Sequence, residues 1–161
     1  MTAPQGLRQT IEQERGRIAW KDIQDIKEHK NNKDKKLEKE YRSLARGLDS
    51  MIQINGLGQT LGFLNAKSKD KEGKLERKPH YFLLLHLTDW MQDEKHFKAP
   101  NMEVMQRGYD GLLWWVTRED TTSADYRRAT TECLAFGNWL SRFAEAELQE
   151  PETEGGATNN G

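Results

Sequence analysis

Cysteine occurs once in 161 residues, at Cys133, so no internal disulfide can staple the chain and no Cys-rich zinc site can form. β-Branched apolar residues are scarce: eight Val and Ile stand against 17 Leu, and strands draw on the branched side chains that are missing. No stretch approaches the roughly 20 uncharged apolar residues of a membrane span. Residues 1–13 lack the basic-then-apolar layout of a secretory signal. Charge of one sign is also lacking overall, because 25 Lys and Arg against 26 Asp and Glu leave −1. That balance excludes a strongly basic tail binder and an acidic solvating chain. A cytoplasmic protein without a membrane partner is the expectation.

What is abundant favours helices. Leu, Lys, Glu, Arg and Gln dominate, all good helix formers, and five Trp supply large apolar area. The prediction is an all-α fold, a single compact bundle of five to six helices over residues 1–150. Residues 151–161 (PETEGGATNNG) are too polar to repay the entropy of ordering and are predicted to be a disordered acidic tail.

Apolar spacing places the helices. Leu7, Ile11, Ile18, Ile23 and Ile26 predict a first helix over 6–28. Leu37, Tyr41, Leu44, Leu48 and Ile52 predict a second, stopped by Asn55-Gly56, where left-handed backbone is tolerated. Leu57, Leu61 and Leu64 continue the pattern to Lys67. Residues 67–79 form a charged connection, and Pro79 suits the first turn of a fourth helix. Residues 81–91 of that helix are apolar nearly all round, which predicts a central, buried element. Met102, Met105, Tyr109, Leu112 and Val116 predict a fifth helix. Trp114 lies off its stripe and is expected to be exposed as a partner contact. Thr122 or Ser123 caps the last helix, whose stripe runs Tyr126, Ala129, Cys133, Phe136, Leu140 and Phe143.

Catalytic constellations do not assemble. No Glu has a His three residues later, as helical di-metal sites require, and the four His lack zinc spacing. Cys133 falls in an apolar stripe and reads as a packed thiol. His86 and Asp89 share a helix face, which suits a structural hydrogen bond. The glycines at 56, 58 and 62 follow a helix and lack the GK[ST] ending, so they are not a phosphate loop. A non-enzyme without cofactor or metal is predicted.

Charge is nevertheless uneven. Residues 1–47 carry net +4, whereas residues 143–161 carry five Glu and no Lys or Arg. Lys39, Arg42 and Arg46 fall at steps of three and four and form a cationic ridge on the second helix. Arg15, Arg17, Lys21, Lys67, Lys69 and Arg142 are candidates to extend it. Such a ridge follows a phosphate backbone by charge and shape, without reading bases. The bland alternative is that these side chains pair with Glu12, Glu14, Glu38 and Glu40.

Two runs in the middle of the chain, residues 41–48 (YRSLARGL) and 52–64 (IQINGLGQTLGFL), resemble the small helical subunit of the Cmr complex, the type III-B CRISPR RNA-guided effector. Residues 126–146 (YRRATTECLAFGNWLSRFAEA) resemble that family's C-terminal signature, and Arg15 to Trp20 agrees with its first helix. The resemblance covers about residues 8–147; residues 67–79 and the tail lie outside it, and Gly47 and Gly137 depart from it, loosening their helices. It implies a subunit without an active site, stacked in several copies along the guide RNA–target RNA duplex. Its partners would be both RNAs, the backbone and large subunits, and neighbouring copies of itself. Two alternatives stay open: a helix-turn-helix DNA-binding regulator built around Asn55-Gly56, and a helical adaptor that contacts protein only.

Overall fold

Thr10 sits in extended backbone (φ −73°, ψ 162°) and starts α1 (Ile11–Lys27). Its hydroxyl accepts the Gln13 N–H at 3.2 Å, and its own N–H donates to Gln13 Oε1 at 2.8 Å. This reciprocal capping box satisfies two orphan donors of the first turn. Among the described residues α1 therefore begins at Ile11, because a helix cannot run through an extended Thr10. The computed structural model describes residues 10–152, so the expectations for residues 6–9 and for the tail beyond Glu152 lie outside the described residues.

After α1 come α2 (Lys36–Asn55), α3 (Leu57–Lys67) and α4 (Pro79–Gln92). Gly56 separates α2 from α3 at φ 87°, ψ 160°, a conformation that suits a residue without Cβ. The charged connection after α3 is closed by an isolated antiparallel bridge between Lys69 and Leu75. The Glu76 N–H donates to the Ser68 carbonyl at 2.8 Å at its base. No strand forms among the described residues.

The predicted fifth helix is broken. A 3₁₀ segment, Met102–Arg107, leads through extended Gly108 into a short α5 (Gly111–Val116). A Cβ at Gly111 would overlap the Met105 carbonyl, so the 3₁₀ segment folds back onto α5 more closely than a straight helix allows. The apolar spacing that suggested one helix is met by two short pieces facing the same core. Finally, α6 (Ser123–Glu147) is capped by Thr122, whose hydroxyl accepts the Asp125 N–H at 3.1 Å.

The long α6 is wedged between α1 and α2. It runs parallel to α1, as Arg15 meets Glu132 and Lys27 meets Glu147, and antiparallel to α2, as Leu48 meets Gly137 and Arg42 meets Leu148. The helix α4 covers the seam where the three meet. Trp90 of α4 stacks on Phe136 of α6 with centroids 4.6 Å apart, and its Leu83, Leu84 and Leu87 are fully buried, as its all-round apolarity predicted. Each such side chain contributes about 1.5–3 kcal/mol of burial, before the entropy of ordering is subtracted. Among the described residues no helix is long and apolar enough to cross a membrane.

Candidate nucleic-acid interface

Steps of three and four put Lys39, Arg42 and Arg46 on one flank of α2, and the tertiary structure sets that flank beside the end of α6. Arg46 is exposed and has no carboxylate within 4.0 Å among the described residues. Arg42 is half-buried and donates from Nη1 to the Leu148 carbonyl at 3.3 Å. Lys39 is half-buried too, with Nζ 3.5 Å from Glu152 Oε1. Beneath them Glu38 is only 1% exposed. A carboxylate so buried needs donors, and it has the Asn32 side-chain amide at 2.9 Å and the Gln149 N–H at 2.7 Å. The chain leaving α6 is thereby pinned to α2.

The remaining candidates lie outside α2. Arg15 is 15% exposed and grips Glu132 through Nε at 2.7 Å and Nη2 at 2.9 Å, with Glu12 at 3.0 Å. The Glu132 hydrogen bonds hold its pKa above the ordinary guanidinium value against the cost of burial. Arg15 is thus a clamp between α1 and α6, and its expected place on a phosphate-facing ridge is corrected. Arg17 is exposed but paired with Glu14 at 2.7 Å. Lys21 points toward α4, where its charge partly offsets the rise that burial imposes on the Asp89 carboxyl. Lys67 and Lys69 are exposed at the end of α3. Burial and then the Lys67 charge lower the pKa of His80, which lines a groove with Glu40, Leu44, Met51 and Phe63. Arg142 is exposed on α6, in a shallow groove with Glu12, Trp139 and Glu145. Lys39, Arg42 and Arg46 share one flank of α2 by their helical spacing.

Groups suited to chemistry are turned to packing. Cys133 is buried at the centre of α6, and burial pushes its thiol well above the ordinary range. His86 does not meet Asp89: its Nδ1 lies 2.7 Å from the Tyr41 hydroxyl, and burial lowers its pKa to about 3. Among the described residues no group of three or more His, Cys, Asp or Glu could hold a metal ion.

Exposed aromatics are the feature that spacing understated. Trp114 is 48% exposed as expected, with the Arg107 guanidinium 4.7 Å over its ring. Trp20 is 43% exposed and meets Phe143 edge-on at 5.3 Å, beside Trp139. The position of Trp20 off the apolar stripe of α1 is the signal that finds it.

Over residues 11–147 the chain matches the family model described as CRISPR-associated protein (Cas_Cmr5). A crystal structure of a CRISPR-associated Cmr5 family protein from Thermus thermophilus superposes with a TM-score of 0.61. The two share 22% identity over 88% of this chain and 100% of that one, a likeness of fold. The family match stops at the last residue of α6, so the pinned segment beyond it is outside the common part.

Proposed function

The chain belongs to the CRISPR-associated Cmr5 family, whose members are small subunits of the type III-B effector, and from that premise we propose a non-catalytic, RNA-stabilising role. Copies of the subunit stack along the guide RNA–target RNA duplex and hold it through sequence-independent backbone contacts. The observation that supports this reading is the row Lys39, Arg42 and Arg46 on one flank of a rigid helix, with Arg46 exposed at one end and Lys39 and Arg42 half-buried against the chain leaving α6. Guanidinium and ammonium groups spaced along a helix track phosphates and carry no means of reading bases. One subunit offers few such contacts and binds weakly. Repetition along an assembly raises their effective concentration, and the array then holds RNA that a single copy releases.

The helix-turn-helix alternative finds no support in α3. Leu57, Thr60, Leu61 and Leu64 of that helix are buried, which leaves it short of exposed side chains to read a groove.

The test is the double variant Arg42→Ala/Arg46→Ala in the assembled complex. RNA binding should weaken alike across sequences, and the salt dependence should become shallower by about 0.7 in slope for each phosphate that is no longer neutralised. An unchanged slope, in a complex that still assembles, removes the row from the interface. Absence of any RNA crosslink to residues 39–46 would point instead to a protein-only adaptor.

A further inference from the structure

The end of α6 does not simply stop. Leu148 is buried in extended backbone (φ −101°, ψ 152°), and the next N–H, of Gln149, is held by the buried Glu38 carboxylate at 2.7 Å. This anchor directs the following residues across the flank of α2, where Glu152 reaches Lys39 and the Leu148 carbonyl already occupies Arg42. The described residues that follow α6, 148–152, carry Glu150 and Glu152 and no Lys or Arg. Charge complementarity and a fixed exit point therefore put an anionic strand on the same side chains that form the RNA-facing row.

We propose that the acidic segment following α6 is an internal competitor for the basic flank of α2, which a polyanion must displace to engage Lys39 and Arg42. This inference rests on the RNA-binding reading above and adds a control to it. Glu152 is 91% exposed, so its single pair with Lys39 is weak and screened by salt. The tether compensates, because it keeps the carboxylates at high effective concentration around the row. An isolated subunit is then partly self-neutralised and discriminates against stray polyanions. A backbone presenting several phosphates in register releases the segment, since each phosphate meets a cation while Glu152 gives up only a shallow, solvated contact.

The experiment compares the full native chain with Glu150→Gln/Glu152→Gln, two substitutions at the surface that leave the core untouched. The probe is single-stranded poly(U), titrated at low and at high salt. The variant should bind roughly three- to tenfold tighter at low salt, with the difference shrinking as screening grows. Lys39 should also acylate faster in the free variant than in the native chain, read by mass spectrometry. Adding Arg42→Ala/Arg46→Ala to the variant should abolish the gain. Equal affinity and equal Lys39 reactivity overturn the competitor and leave the RNA-binding row standing if Arg42→Ala/Arg46→Ala still weakens binding. A gain that survives the arginine substitutions also overturns it, because the acidic segment would then act elsewhere. If no form of the isolated chain binds poly(U) at low salt, the competitor is overturned, whereas the RNA-binding reading is decided separately by Arg42→Ala/Arg46→Ala in the assembled complex.

Discussion

Asp22 is the side chain whose burial is least compensated. Its Oδ2 is shielded from water with no hydrogen-bond partner, and burial, with Asp89 and Asp25 nearby, raises its pKa to about 8. The folded state therefore keeps a proton that the unfolded chain releases above the ordinary carboxyl range. Stability contributed by this group is full below about pH 4 and is lost as pH rises toward 8. His86 works in the opposite sense: its folded pKa of about 3 lies below the ordinary 6.5, so stability is lost as pH falls through that window. Asp22→Asn should leave stability unchanged at pH 4 and raise it by about 1–3 kcal/mol at pH 8, as read by urea unfolding. A gain that does not vary with pH would mean that charge is not the cause. Spacing alone revealed that Cys133 is packed, because its neighbours at helical steps are apolar. It did not reveal Asp22, where the like charge that adds most to the effect of burial is Asp89 on α4, 67 residues further along.

At the scale of elements, close approach explains what periodicity misread. Gly137 suggests a loosened helix, yet a Cβ there would lie 2.9 Å from Leu48 Cδ2. The glycine lets α6 and α2 pack tightly where the α2 flank begins. Gly137→Val should cost about 1–3 kcal/mol through overpacking, and less in a Leu48→Ala background; thermal unfolding of the single and double variants checks this. Equal costs in both backgrounds would place the strain elsewhere. Gly16 serves α1 in the same way, with the Trp139 ring 3.3 Å from its missing Cβ. The broken helix at Gly108 to Gly111 follows the same logic, since a hydrophobic pattern records which residues face the core and not whether the backbone between them is continuous.

Across the whole molecule, the aromatic and leucine side chains form one connected core, and Cys133 lies fully buried within it on α6. The thiol should therefore stay inert to labelling reagents until the fold opens, and its exposure in denaturant should coincide with loss of helical circular dichroism. Labelling that precedes helix loss would show that α6 detaches as a separate unit. The sequence by itself determined the all-helical class, the placing of four of the six helices to within a few residues, the packed cysteine and the row on α2. All of these depend on residues near one another in the chain, where helical periodicity acts. Only the tertiary structure decided that Arg15 is spent on Glu132. It alone showed the end of α6 returning to lean on Lys39 and Arg42. Those outcomes join residues more than a hundred positions apart, and a local pattern holds no information about such distances.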